Sequence, residues 1–124
     1  MSTRSAIGFY DEAGMFKAMY CHYDGYPNHV GKILVEHHNS LSAAHNIVEG
    51  SQIRNFDHDG TIARFGDGDG AAELFETVTE ALDSGFDYAY VYNVEQMRWV
   101  CFGRDPLPLF HVREVNIPGN EVAV

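Results

Sequence analysis

Residues 5–21 have the sequence SAIGFYDEAGMFKAMYC, in which two runs of strand-forming residues flank an acidic turn that ends in glycine. The runs are Ser5–Tyr10 and Met15–Cys21, and the turn is Asp11–Gly14. Short β-rich runs joined by a few turn residues with a terminal glycine are typical of a β-hairpin. We therefore predict an N-terminal hairpin closed at residues 11–14.

Three helices are predicted after the hairpin. Val30, Ile33 and Leu34 fall at helical spacing and indicate a helix over about 28–38. Ser40 is expected to cap a second helix that runs through Val48, with Gly50 as its stop. Residues 51–70 have little regular pattern. The third helix is expected over residues 71–84.

The third predicted helix is amphipathic. Its apolar arc consists of Ala71, Leu74, Phe75, Val78, Ala81 and Leu82. The opposite arc carries four acidic residues, Glu73, Glu76, Glu80 and Asp83. Helical spacing predicts that these four form one exposed acidic row, which is either a solvated face or a contact surface for a basic partner.

The C-terminal part of the chain predicts three strands. Residues 86–92 alternate and place Phe86, Tyr88, Tyr90 and Tyr92 on one aromatic face, which we interpret as sheet core, with a dimer surface as the alternative. Residues 97–102 are expected to return after a turn, and residues 110–115 to add an edge strand. The sequence thus predicts a single α+β domain over residues 1–124, with an antiparallel β-sheet and about three helices packed on one face.

Composition and charge set the expected class of protein. A chain of 124 residues with 45% hydrophobic residues fits one folded domain, and no apolar run is long enough to span a membrane. Cys21 and Cys101 are far apart, which favours free thiols in a reducing cytoplasm. Eighteen acidic against eight basic residues give a net charge of −10, which disfavours nucleic acid and anionic membranes and favours a basic partner.

The densest group of chemically versatile residues is CHYDGYP, residues 21–27. Counting outward from the hairpin turn places Arg4 opposite position 21, so we expect Arg4 to form an ion pair with Asp24. Gly25 is expected to supply a positive φ that folds the loop back. His22 and Tyr26 would border the same spot, as a binding pocket or as a rigid structural turn.

The sequence contains none of the common metal-binding or cofactor-binding motifs. The histidines have no H-x-x-x-H spacing, and the two cysteines form no C-x-x-C pair. Calcium-loop patterns that start at Asp57 or Asp67 lack the glycine and glutamate that such a loop needs. The glycine-rich stretch at 66–70 has no P-loop lysine. We therefore expect no metal and no cofactor.

Several of these segments together resemble a family of small proteins encoded by bacteriophages and prophages. They are the start STRS at 2–5, the CHYDGYP loop, HVGKIL at 29–34, HHN at 37–39, and YAYVY and WVC near the C-terminus. Relatives also carry an R-D-R-G-E run, which this chain lacks at RFGDGDG, 64–70. The resemblance implies a phage context, the cytoplasm of a host bacterium and a compact α+β fold.

Two classes of function follow from these observations. The first is a non-catalytic accessory protein that binds a host macromolecule, a basic protein, and modulates host defence or metabolism. The second is a protein that binds or processes a small molecule, a metabolite or nucleotide, in a pocket built from Arg4, His22, Asp24 and Tyr26. The sequence leaves the oligomeric state open.

Overall fold

The N-terminal hairpin forms the centre of the sheet. The computed structural model describes residues 3–66, 71–105 and 111–118. Strand β1 (Ser5–Tyr10) pairs antiparallel with β2 (Phe16–Cys21), and Ser5 lies opposite Cys21. The Asp11 carboxylate accepts hydrogen bonds from two backbone N–H groups within the turn, at 3.0 Å each. The predicted hairpin is confirmed, and the side chain of Asp11, the first residue of the acidic turn, stabilises that turn.

The first two helices follow the predicted boundaries closely. A wide helical turn, Pro27–Gly31, leads directly into α1 (Lys32–His37). Helix α2 (Leu41–Val48) begins after Ser40, whose Oγ accepts a hydrogen bond from the Ala43 N–H at 3.0 Å. This capping bond satisfies one of the free N–H groups at the helix start, as the sequence predicts.

Three short strands lie in the region between α2 and the third helix. They are β3 (Ile53–Phe56), β4 (Ile62–Arg64) and β5 (Glu73–Phe75). The sequence predicted none of them, because three- and four-residue strands are too short to establish an alternating pattern.

The third helix is shorter than predicted, and the expectation of a helix over 71–84 is wrong. Strand β5 pairs with β2 and places Phe75 opposite Phe16, so these residues extend a sheet edge. Helix α3 (Val78–Asp83) begins only after Thr77, whose Oγ1 accepts a hydrogen bond from the Glu80 N–H. Pairing with an available strand edge overrides helical periodicity here, since propensity is a weak prior.

The C-terminal strands complete the sheet. Strands β6 (Tyr88–Asn93), β7 (Arg98–Arg104) and β8 (Val112–Val115) form an antiparallel meander. The three predicted strands are confirmed in order, and so is the predicted pairing of the first two. Phe110, the predicted start of the edge strand, lies outside the described residues.

The sheet is mixed, which corrects the expected antiparallel arrangement while confirming the α+β class. Its order is β4-β3-β2-β1-β6-β7-β8, with β5 also paired along β2. The β1–β6 and β2–β3 pairs are parallel. Parallel neighbours need a long crossover, and the helical segments before β3 and β6 supply it.

Helices cover both faces of the sheet, which corrects the prediction that they share one face. Helices α1 and α2 pack on the face that carries the large side chains, listed here: Ile7, Phe9, Met19, Tyr90, Tyr92 and Trp99. Helix α3 packs on the other face, over Ala6, Ala18 and Ala89. Alternate residues of a strand point to opposite faces, so each strand supplies both layers.

The aromatic residues of β6 belong to the core, as interpreted from the sequence. Tyr90 and Tyr92 are buried in the α1–α2 layer, and Tyr88 packs against it. Phe86 lies before the strand and packs in the α3 layer instead. Among the described residues, no helix is both long and apolar enough to cross a membrane.

Candidate functional site

The predicted ion pair between Arg4 and Asp24 is not formed. Because Ser5 lies opposite Cys21, the hairpin register differs by one residue from the predicted one. The Arg4 guanidinium donates to the Gly85 carbonyl at 3.1 Å, and the Arg4 N–H donates to the Asp87 carboxylate at 2.9 Å. The Arg4 side chain therefore contacts the entry to β6, the parallel neighbour of β1, and does not reach Asp24.

Gly25 has a structural role that differs from the predicted one. The positive φ belongs to Asp24 (55°), whereas Gly25 is buried beside the start of β1. The Gly25 N–H donates to the Thr3 carbonyl at 2.9 Å, and the Tyr90 hydroxyl donates to the Gly25 carbonyl at 2.7 Å. A Cβ atom at position 25 would lie 2.7 Å from Ser5 Oγ, so glycine is required for close approach.

His22 lies within a cluster of aromatic rings. Its Nδ1 is 2.6 Å from the Tyr20 hydroxyl oxygen, and the two groups share a hydrogen bond. Its ring makes edge contacts with Tyr23, at a centroid distance of 4.4 Å, and with Phe65, at 6.0 Å. His22 therefore fixes the positions of two rings that belong to different segments of the chain.

Tyr26 is separate from this cluster. Its side chain is 39% exposed, and its ring lies 6.2 Å from that of His29. Of the residues predicted to build one pocket, His22, Asp24 and Tyr26 share the loop after β2, but Tyr26 lies apart from the His22 cluster. The Arg4 side chain lies at the entry to β6.

A hollow of about 560 Å³ opens beside this loop. It is lined by Tyr23, Asp24, Arg54, Asn55 and Phe65. The Tyr23 N–H donates to the Arg54 carbonyl at 2.9 Å, which brings the loop and β3 side by side. Arg54, Asn55 and Phe65 were not predicted as site residues, because nothing in residues 51–66 predicts that β3 lies parallel to β2.

The predicted acidic row does not exist as one helical face. Glu73 lies in β5 and Glu76 in the following turn, while Glu80 and Asp83 lie in α3. Leu74, expected in the core, is 55% exposed. Asp83 forms an ion pair with Arg104, so one of the four carboxylates already has a partner within the chain. The prediction failed because it rested on a continuous helix over 71–84.

A larger groove lies on the α3 face at the other end of the sheet. It has a volume of about 640 Å³ and is bordered by the start of α3, the ends of β1 and β6, the β6–β7 turn, β7 and β8. Its apolar residues include Val91, Val100 and Phe102, and the exposed Tyr10 and Val94 stand at its margin. Within the described part of the chain, a concave surface therefore remains beside α3 on this sheet face.

The charge of the groove is negative. Among the described lining residues the charged side chains are Glu95 and Glu114, and no lysine or arginine is present. Glu114 lies 3.6 Å from Arg98 and is 54% exposed. An apolar floor with carboxylates at its margin fits a ligand that is apolar on one side and cationic on the other.

The buried thiols and phenol belong to the core between these sites. Burial raises the pKa of Cys21 and of Cys101 to about 12. Burial also raises the pKa of Tyr90, whose hydroxyl donates a hydrogen bond to the Gly25 carbonyl. A thiol with such a raised pKa is a poor nucleophile at neutral pH, because the thiolate is the reactive form.

Two histidines, one before α1 and one after it, bond the backbone of the β3–β4 hairpin. Nε2 of His29 lies 2.8 Å from the Phe56 carbonyl, and Nε2 of His38 lies 2.8 Å from the Gly60 carbonyl. Burial lowers the pKa of His38. Within residues 3–66, 71–105 and 111–118, no three His, Cys, Asp or Glu side chains are grouped to hold a metal ion.

Comparison of the chain with protein-family models, with curated proteins and with solved structures finds no match.

Proposed function

We propose that this chain is a non-catalytic binding protein whose groove on the α3 face holds a basic amphipathic helix of a partner protein. The observation that supports this most is the combination of an apolar lining with two exposed carboxylates, Glu95 and Glu114. Helix α3 covers one part of the sheet face, and a second helix laid beside it would complete the layer.

Apolar anchoring of the partner is supported by the margin of the groove. Tyr10 is 45% exposed and Val94 is 53% exposed, and both border the groove. Exposed apolar side chains next to a concave apolar floor are typical of protein interaction sites. Leucine-like side chains of the partner would bury these two residues on binding.

Two features of the charge distribution support the attraction of a basic partner: an exposed carboxylate in the groove and the net negative charge of the chain. Glu95 is exposed and has no ion pair among the described residues, so its carboxylate is available to a lysine or arginine of the partner. The net charge of −10 favours the approach of a cationic protein from a distance.

The biological setting is proposed from the resemblance to phage and prophage proteins. The partner is then a protein of the host bacterium, met in the host cytoplasm, and binding modulates host defence or metabolism. This role involves no chemical step, because a partner helix that is bound in the groove is unable to make its other contacts.

The experiment is a binding titration with a defined probe. A fluorescent peptide that carries leucine on one helical face and lysine on the other is compared with a twin that has glutamate in place of lysine. We expect the basic peptide to bind and the acidic twin not to bind. The double variant Glu95→Lys, Glu114→Lys should weaken binding of the basic peptide roughly three- to tenfold, because it removes two exposed charge pairs.

The matched control separates the groove from overall charge. The double variant Glu36→Lys, Glu49→Lys changes the net charge equally, on the α1–α2 side of the sheet. It should retain most of the peptide affinity. Equal weakening by both double variants, or no binding of the basic peptide, would contradict the proposal. So would a dimer, detected by size-exclusion chromatography, that Glu95→Lys dissociates.

A further inference from the structure

The hollow beside the loop after β2 is independent of the proposed partner groove. It lies where β1 begins and β2 ends, whereas Tyr10 and Asn93 place the groove at the opposite end of the same strands. Backbone hydrogen bonds define its walls, because the His22 and Tyr23 N–H groups donate to the carbonyls of Ile53 and Arg54 at 2.9 Å.

Two aromatic rings in this hollow are available for stacking. Tyr23 is 45% exposed and contacts His22, so part of its ring is accessible from solvent. Phe65 lines the same hollow from the β4 side. Both rings make T-shaped contacts with the His22 ring, and the hydrogen bond to Tyr20 holds the His22 ring in place. A flat ligand can therefore stack on rings that are already positioned.

Two charged side chains of opposite sign stand next to these rings. Asp24 and Arg54 line the hollow and are both exposed. Within the described part of the chain neither side chain forms a hydrogen bond or an ion pair. The hollow thus offers an acceptor for N–H or O–H donors and a guanidinium for an anion, alongside the aromatic rings.

From this combination we infer that the hollow binds a nucleoside monophosphate. The base stacks on Tyr23 and Phe65, the Arg54 guanidinium binds the phosphate, and the Asp24 carboxylate accepts a hydrogen bond from the base or the sugar. Stacking on aromatic side chains is available to every base and gives substantial affinity without a phosphate-binding loop.

Overall charge selects the free nucleotide over a nucleic acid chain. The net charge of −10 opposes a polyanion, whereas a single phosphate needs only one local cation. A short single-stranded oligonucleotide carries the same bases and phosphates, so it presents the same chemistry from another source. It is expected to bind more weakly than the mononucleotide.

The test is isothermal titration calorimetry with the full-length chain. The probes are the four common ribonucleoside monophosphates, their nucleosides, inorganic phosphate and a short oligonucleotide. We expect at least one monophosphate to bind more tightly than its nucleoside and than phosphate. Tyr23→Leu should weaken that binding by at least about fivefold, the lower end of measured stacking contributions. Arg54→Gln should reduce monophosphate affinity to that of the nucleoside and leave nucleoside affinity unchanged.

Each variant has a matched control. Tyr26→Leu removes a tyrosine of the same loop that is 39% exposed and lies outside the lining. Arg113→Gln removes an exposed arginine that pairs with Asp105. Both controls should retain the affinity of the unmodified chain, and unchanged melting temperatures show that all four variants fold. The inference is overturned if no monophosphate binds, if phosphate alone binds equally well, if the oligonucleotide binds more tightly, or if Tyr26→Leu weakens binding as much as Tyr23→Leu.

Discussion

Individual side chains and glycines connect distant parts of this chain. Gly25 joins the N-terminal arm, the loop after β2 and the centre of the sheet, because its N–H bonds Thr3 and its carbonyl receives the Tyr90 hydroxyl. Arg64 has a comparable role at the other edge. Its guanidinium donates to the carbonyls of Asn46, Ile47 and Ser51, so one cation satisfies the open end of α2 and fixes the β3–β4 hairpin to it.

The substitution Gly25→Ala tests the close approach at the loop. The added methyl group would lie 2.7–2.9 Å from Ser5 Oγ, Ser5 Cβ and the Thr3 carbonyl, so the loop must shift away from β1. We expect the free energy of unfolding to fall by about 1–3 kcal/mol in urea denaturation, the usual cost of overpacking.

A double-mutant cycle shows whether that loss comes from the named contact. Ser5→Gly removes two of the three crowded atoms, so the double variant should lose less stability than the sum of the single variants. Strict additivity would show that the close approach to Ser5 is not the cause.

Short elements in this fold depend on their termini and on their neighbours. Helix α3 has only six residues, too few to be stable alone, and it is held by its cap and by packing over the alanines of the sheet. The small side chains of Ala6, Ala18 and Ala89 let the helix lie close to the strands.

The cap of α3 can be tested with two threonines that lie two positions apart in the chain. Thr77→Ala removes the acceptor of the Glu80 N–H and should cost about 1 kcal/mol of unfolding free energy. Thr79→Ala is the control, because Thr79 is exposed within the helix and alanine favours helix formation. Equal losses for the two variants, measured by denaturant titration, would exclude a capping role for Thr77.

At the scale of the whole molecule, the core between the two helical layers contains groups that resist ionisation. Cys21 and Cys101 are buried there with Tyr90, and burial raises the pKa of each. In the unfolded chain both thiols ionise near their ordinary pKa of 9.0, whereas in the folded chain they ionise at about 12. The folded state therefore binds more protons than the unfolded state between these pH values.

This difference predicts alkaline destabilisation. A raised folded-state pKa stabilises the fold fully below pH 9, and that contribution is lost as pH rises from about 9 to about 12. The free energy of unfolding should decline over this window. In the double variant Cys21→Ala, Cys101→Ala the decline should be shallower, with Tyr90 still contributing to it.

Thiol labelling provides the accompanying measurement. At neutral pH both cysteines should react with iodoacetamide only after denaturation, because both are buried and protonated in the fold. Rapid labelling of either cysteine in the native protein, or an unchanged pH slope in the double variant, would contradict this account of the core.

Local sequence determined the parts of this protein that depend on neighbouring residues. The hairpin at 5–21, the Ser40 cap and the β6–β7 pairing were predictable, because turn residues, capping side chains and alternation act over a few positions. The aromatic residues Tyr90 and Tyr92 were assigned to the core for the same reason, and both are buried there.

Only the tertiary structure decided where distant segments meet. The parallel β1–β6 and β2–β3 pairs brought Arg4 to Gly85 and Arg54 to the loop at Tyr23, and no periodicity in the chain encodes those neighbours. The same applies to Glu73–Phe75. These residues have helical spacing in the sequence, but they form a strand that pairs with the edge of β2. Both candidate sites lie between such segments, because long-range pairing is selected by the burial of the whole sheet and not by any local run of residues.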